Sequence, residues 1–169
     1  VYVSYQETFD SAGSLYRRAR IARSADQGST WTLWTVDERP GTLTYPTVGY
    51  FTSVWAGAGA NPPVFVTYEA RNIGFADRSE AVFTKAVDNG SANPDWSTSQ
   101  KVLEGTTGGS VGKNLRGHGI ASDGTAVIIA YEANVGGPAL RVQRSSDAGA
   151  NWAANTIMMA PPGDSAVAF

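Results

Sequence analysis

One eight-residue pattern occurs twice in this sequence, and it strongly restricts what the chain can fold into. It reads S-x-D-x-G-x-x-W and covers Ser24–Trp31 and Ser145–Trp152; we call these segments the first and second Asp turns. Ser and Asp side chains hydrogen-bond nearby backbone groups, and Gly accepts the positive φ of a tight turn. The Trp then starts the next strand and can bury a large apolar ring. Both segments therefore predict hairpin turns, with Trp31 and Trp152 buried between neighbouring strands.

The composition suits short strands joined by turns and excludes several classes of protein. The 169 residues include 19 Gly, 8 Pro, five Trp, seven Tyr and six Phe, enough for one domain with a core. The formal net charge is −2, and Arg17, Arg18 and Arg20 form the largest basic group, so no nucleic-acid partner is predicted. No apolar run approaches the roughly 20 residues of a membrane helix. Without cysteine there is no disulfide framework, and no pattern predicts a metal or cofactor.

A search for internal repeats indicates three copies of one unit. In each copy an apolar strand reaches a tyrosine that is followed by Gln or Glu, and Tyr5, Tyr68 and Tyr131 are spaced 63 residues apart. The predicted repeats cover approximately residues 1–45, 46–104 and 113–160. The first and third contain the Asp turns, and the second has a degenerate turn, Asp88-Asn89-Gly90, with a late Trp96.

The Asp turn resembles the Asp-box of sialidase-like (BNR-repeat) β-propellers, where it holds a turn together and does no chemistry. That resemblance implies four-stranded blades. Thr47–Val54 and His118–Ser122 supply the first strand of the second and third blades, whereas the first blade lacks one and Ser165–Phe169 has the character of the missing strand. We therefore expect one all-β domain over residues 1–169, forming three propeller blades. An ordinary β-sandwich is the alternative fold.

Three blades do not readily close a ring, because propellers usually have four to eight. Two interpretations remain open. The chain is half of a six-bladed propeller that a second copy completes as a homodimer, or it is a fragment of a longer chain.

Candidate site residues lie where the turns of each blade face away from the Asp turns. The repeat places Gln6, Glu69 and Glu132 at one equivalent strand end, each directly after a tyrosine. Polar groups that converge on one mouth can bind a sugar, and two facing carboxylates can hydrolyse a glycosidic bond. We predict Glu69 and Glu132 as catalytic, and the predicted substrate-binding residues are Gln6, Arg71, Asn134, Arg116 and His118. Ser24, Asp26, Gly28, Trp31, Ser145, Asp147, Gly149 and Trp152 are predicted to be structural.

A closer resemblance is carried by Val3-Ser4-Tyr5-Gln6, Phe65–Arg71, Leu115–Gly119 and Ala130-Tyr131-Glu132 together with the Asp turns. These segments are similar to the exo-arabinanase branch of the six-bladed sialidase-like propellers. The resemblance implies a secreted or extracellular retaining exo-glycosidase acting on a carbohydrate, with Glu69 as nucleophile and Glu132 as acid. The sialidase Phe/Tyr-Arg-Ile-Pro motif is absent. A non-catalytic glycan-binding propeller and a structural repeat module are the alternative functions.

Overall fold

A computed structural model describes residues 1–11, 14–38, 47–71, 79–98, 100–103, 116–134, 138–153 and 156–159. This part of the chain is all-β, as expected, with eleven strands and no helix. The strands are β1 (Tyr2–Ser11), β2 (Ser14–Arg23), β3 (Thr32–Asp37), β4 (Thr47–Ala56), β5 (Pro63–Arg71), β6 (Ser79–Val87), β7 (Gln100–Leu103), β8 (Arg116–Ser122), β9 (Val127–Asn134), β10 (Pro138–Ser145) and β11 (Thr156–Met159).

The strands pair with their sequence neighbours to form three antiparallel meanders. The first meander is β1-β2-β3, the second is β4-β5-β6-β7 and the third is β8-β9-β10-β11. A single parallel bridge between Arg17 and Thr47 joins the first two into one seven-stranded sheet. The expected extra strand Ser165–Phe169 lies outside the described residues.

The 63-residue spacing is visible in the strand register. Tyr2 pairs with Arg23, Phe65 pairs with Lys85, and Ile128 pairs with Arg144. An apolar or aromatic residue of β1, β5 and β9 therefore lies beside a basic residue of the next strand.

Two apolar clusters fill the two spaces between consecutive meanders. The first cluster joins Ile21 and Trp34 of the first meander to Val64, Val66 and other residues of the second. The second joins the opposite side of the second meander to the third, through Phe65, Phe83, Val127, Ile129 and Tyr131. Because successive strand residues point to opposite faces, β5 contributes even-numbered side chains to one cluster and Phe65 to the other. Both faces of β5 are therefore buried.

The expected hydrogen bonding of both Asp turns is confirmed. Asp26 Oδ1 accepts a bond from the Thr30 backbone N–H, and Asp147 Oδ1 accepts one from that of Asn151, both at 2.8 Å. Ser24 and Ser145 Oγ accept the N–H of the glycine four residues later, at 2.7 and 2.9 Å. These bonds satisfy the backbone groups of the turn locally, as buried or partly buried polar groups require.

The expected burial of the two turn tryptophans is wrong for Trp31. Its side chain is 44% exposed, whereas Trp152 is partly buried and packs edge-on against Phe83, with ring centroids 5.1 Å apart. The physical reason is the neighbourhood of each turn. The second Asp turn packs against the second meander, but no described residue covers the corresponding side of the first Asp turn.

Candidate functional site

The candidate site residues lie on strands that leave the Asp turns. In the third meander, Ser145 pairs with Val127 at the end that carries the Asp turn, and Asn134 pairs with Pro138 at the other end. Glu132 lies two residues before the end of β9, and Glu69 holds the same place before the end of β5. The strand geometry thus puts both glutamates near the end opposite the Asp turns.

Gln6 occupies a different place from the one expected. β1 continues past it to Ser11, so Gln6 lies in mid-strand, paired with Ala19. The longer hairpin includes Phe9 stacked on Tyr16, with ring centroids 5.6 Å apart. The Gln6 amide donates to the backbone carbonyl of Val48 at 3.2 Å. Gln6 therefore links the first meander to β4 of the second.

Glu69 has no exposed surface, so the expectation that it lines a solvent-filled mouth is wrong for this side chain. It lies between Tyr50 of β4 and Ala81 of β6 in the strand register. Packing of the second and third meanders around β5 causes this burial, which a sequence pattern does not report.

Glu132 is half-buried and lies directly across from Arg116 of β8. Alternation along β5 and β9 directs Glu69, like Phe65, toward the third meander, and directs Glu132, like Ile128, to the face away from the second meander. The two glutamates thus face successive spaces.

Arg17 and Tyr50 form a contact that the sequence analysis did not anticipate. Arg17 Nη1 donates to the Tyr50 hydroxyl, and the guanidinium lies 5.2 Å from the centre of the Tyr50 ring. Because Tyr50 is the register neighbour of Glu69, this pair brings a fixed positive charge from β2 to the strand beside the buried carboxylate. The Arg17-Arg18 dipeptide was visible in the sequence, but its partner is 33 residues away.

A second long-range contact involves Asp37 and Tyr68. The Tyr68 hydroxyl, on a fully buried side chain, donates to Asp37 Oδ2 at 2.5 Å. Tyr68 directly precedes Glu69, so this bond orients the backbone at the start of the candidate site. The repeated Tyr-Glu dipeptide in the sequence indicated this position.

Arg18 anchors a charged network at the edge of the first meander. It donates to Glu7 and, at 2.8 Å, to Glu38, and its guanidinium lies 4.4 Å from the centre of the Phe9 ring. The hydrogen bond from Arg18, with the nearby charge of Arg20, holds the pKa of Glu7 below its usual value despite partial burial. Glu7 is therefore a negatively charged group at neutral pH.

The other predicted binding residues lie at or near the ends of three strands. Arg71 ends β5, Asn134 ends β9, and Arg116 and His118 lie at the start of β8. β8 lies against β4 and β5, so these positions belong to adjacent strands. No group of three His, Asp or Glu residues that could hold a metal ion occurs within the described ranges.

Glu69 and Glu132 lie near the strand ends opposite the Asp turns, and the Tyr50 hydroxyl, with its Arg17 partner, is on the strand beside Glu69. Such groups hydrogen-bond the hydroxyls of a polar ligand, and a glutamate of suitable pKa can transfer a proton to a leaving oxygen.

The described residues include no helix that is long and apolar enough to cross a membrane. No protein-family model, no curated protein and no solved structure matches this chain.

Proposed function

We propose that this chain is a carbohydrate-active β-propeller, built from four-stranded blades, that acts as a glycoside hydrolase or as part of one. The three meanders pack face to face, and equivalent positions of β1, β5 and β9 are 63 residues apart. The inner strands β4 and β8 lie next to each other. A radial stack of meanders would produce these contacts, because each blade buries both faces against its neighbours.

One observation carries the proposed activity. Glu69 and Glu132 occupy equivalent register positions near the strand ends, beside Tyr50 and Arg116 respectively. Glu69 has no exposed surface, and a turn or cap does not require a carboxyl group at this place in the strand. Two carboxylates can supply the acid and the nucleophile of glycosidic hydrolysis where they flank one bond. The sequence resemblance assigns these roles to Glu69 as nucleophile and Glu132 as acid, which lie near the same strand ends but face successive spaces.

The substrate class follows from the same resemblance: an arabinan or a related glycan, encountered outside the cell. Arg17 and Tyr50 are added to the proposed site as groups that bind sugar hydroxyls. Arg71, Asn134, Arg116 and His118 remain proposed binding residues.

The experiment is hydrolysis of arabino-oligosaccharides by the purified assembly, with Glu69→Gln and Glu132→Gln as test variants. Each substitution keeps the side-chain shape and removes the charge. We expect each to lower the rate by about 10²–10⁴-fold, the usual contribution of one acid–base group. Asp95→Asn is the matched control, because it removes one exposed carboxylate near the degenerate turn.

A glycan-binding function without catalysis is the second candidate, and one observation favours it. Gln6, Glu69 and Glu132 recur once per repeat, and the two glutamates face successive spaces. Repeated equivalent sites suit a lectin better than a single catalytic pair. Wild-type protein that binds oligosaccharide in calorimetry and hydrolyses none would establish this function, and absence of both binding and hydrolysis would refute the carbohydrate proposal.

A further inference from the structure

The two outer faces of the three-meander stack are the counterparts of faces that are buried inside it. Val64 and Val127 are fully buried against the preceding meander, whereas Val1, at the same position of the repeat, is 60% exposed. Val66 and Ile129 are likewise fully buried, and their counterpart Val3 is 47% exposed. The first meander thus presents an apolar face that the repeat buries wherever a preceding meander is present.

This first end face also includes side chains of β3 and the first Asp turn. Leu33 is 51% exposed, and Trp31 is 44% exposed although its counterpart Trp152 packs on Phe83. We define the first end face as Val1, Val3, Trp31 and Leu33.

The third meander presents the complementary face. Tyr2 packs on the second meander, and Phe65 packs in the cluster shared with the third, but Ile128, the next in this series, is 42% exposed. We define the second end face as Ile128 and its register partner Arg144, which is also exposed.

A repeated basic residue shows what the second end face is built to contact. Arg23 Nε donates to Asp88 Oδ2, in the degenerate turn of the next meander, at 2.7 Å. Lys85 Nζ donates to the backbone carbonyl of Ala148, in the second Asp turn, at 2.9 Å. Arg144 is the third member of this series by register. In each of the first two cases the basic residue reaches the turn of the following meander.

We propose that a second copy of this chain seats its first end face on the second end face, so that Arg144 of one copy reaches the first Asp turn of the other. Each copy then uses both end faces once, and the contact closes as a twofold ring of six meanders. Six lies within the range of four to eight blades, whereas three copies would give nine. The proposal rests on the radial stacking put forward above and is independent of any activity toward glycans.

The contact would be heterologous, with different patches meeting, yet it would close because the twofold axis repeats it. Its centre would be apolar, formed by Val3, Leu33, Trp31 and Ile128, with Arg144 near the Asp turn. Charge at the edge and aliphatic or aromatic side chains at the centre are typical of specific interfaces. An apolar cluster with a basic residue at the following turn already joins the first meander to the second and the second to the third.

The test is the mass of the purified chain by light scattering at about 10 µM, a concentration above the roughly 1 µM dissociation constant of a dimer held by about 8 kcal/mol. One chain has a mass of 17.8 kDa, and we expect twice that value. Leu33→Glu and Ile128→Glu should each raise the dissociation constant at least about 100-fold, because each places a charge in the apolar centre of both contacts. Val87→Glu is the matched control: Val87 is 52% exposed and belongs to neither end face. Circular dichroism checks that every variant is folded.

Mixing the two variants distinguishes this arrangement from other dimers. The Leu33→Glu copy keeps an intact second end face and the Ile128→Glu copy keeps an intact first one, so a mixture should recover one contact and form a heterodimer. Arg144→Glu should weaken the dimer at least about tenfold, with Arg144→Lys retaining most of the affinity.

A monomer, a trimer, or a dimer that Ile128→Glu leaves unchanged would overturn the proposal. A dimer that hydrolyses no glycan would refute the proposed enzyme and leave the ring closure intact. A monomer that hydrolyses glycan would do the reverse.

Discussion

Arg23 and Asp88 form an ion pair that ties the first meander to the second, with Nε and Oδ2 2.7 Å apart. Asp88 is 2% exposed, and its Oδ2 also accepts the Tyr2 hydroxyl at 2.5 Å. Burial raises the pKa of Asp88, but the hydrogen bonds from Tyr2 and Arg23 outweigh it and hold the pKa below the usual value. Burial and the neighbouring carboxylate raise the pKa of Tyr2 to about 12. Asp88 is therefore charged, and Tyr2 neutral and donating, at physiological pH.

Asp88→Asn should lower the free energy of unfolding by about 1.5–3 kcal/mol, because hydrogen bonds to a charged group lose strength and Arg23 loses its counter-ion. Urea denaturation measures the change. Asp95→Asn, an exposed carboxylate, is the control and should stay within about 0.5 kcal/mol of wild type. Equal effects of the two substitutions would show that the Arg23–Asp88 pair does not hold the meanders together.

Acid should weaken the contribution of the second Asp turn to stability. The backbone N–H of Asn151, then its side-chain amide and the Ser145 hydroxyl, lower the pKa of Asp147 to about 2. Since the unfolded value is about 3.9, the folded state is stabilised above the unfolded pKa, and this stabilisation is lost as pH falls through the folded pKa.

Asp147→Asn should therefore have a lower denaturation midpoint than wild type at neutral pH, and the gap should close between about pH 4 and pH 2. Guanidinium titrations over this range measure it. Ser146→Ala, an exposed position of the same turn, should show no such closing gap. A pH-independent gap for Asp147→Asn would mean that shape, not charge, explains the role of this aspartate.

Gly149 and Gly28 occupy equivalent turn positions, but their surroundings differ. Both have positive φ, 79° and 97°. A Cβ at Gly149 would lie within 2.6 Å of Cζ of the buried Phe83, whereas one at Gly28 would meet Trp31 Cζ2 at an ordinary 3.6 Å.

Gly28→Ala should cost about 1–2 kcal/mol from left-handed backbone strain alone. Gly149→Ala should cost a further roughly 1–3 kcal/mol, because the Phe83 ring and its neighbours must move. Thermal or urea unfolding of the two variants measures the difference. Equal decreases in the free energy of unfolding would contradict close packing of the second Asp turn against Phe83 of the second meander.

Gln27 adopts a conformation that glycine would tolerate better. Its φ is 59°, and it directly precedes Gly28, which also has positive φ. Gln27→Gly removes a strain of about 1–2 kcal/mol and adds about 0.5–1 kcal/mol of chain entropy to the unfolded state, so we expect a stabilisation of up to about 1.5 kcal/mol. Ala25 is an exposed residue of the same turn and does not have a positive φ. Ala25→Gly should therefore destabilise the protein by about 0.5–1 kcal/mol. Stabilisation by both substitutions would contradict this account.

Local interactions account for what could be predicted from the sequence. The Asp turns close within eight residues, so Ser24, Asp26 and Gly28 suffice to specify their hydrogen bonds. The three repeated apolar strands that reach Tyr5, Tyr68 and Tyr131, together with the many turn residues, likewise predicted the all-β class. These features depend on backbone chemistry within a few residues, which a sequence displays directly.

Only the tertiary structure decided which faces of those strands are covered. The same turn pattern leaves Trp31 exposed and half-buries Trp152, because the second Asp turn packs against the second meander whereas no described residue covers the same side of the first. Strand packing removes Glu69 from solvent. Arg17 contacts Tyr50, 33 residues away, and Arg23 contacts Asp88, 65 residues away. Burial and long-range pairing depend on how the meanders stack, and a local pattern of residue types carries no record of that stacking.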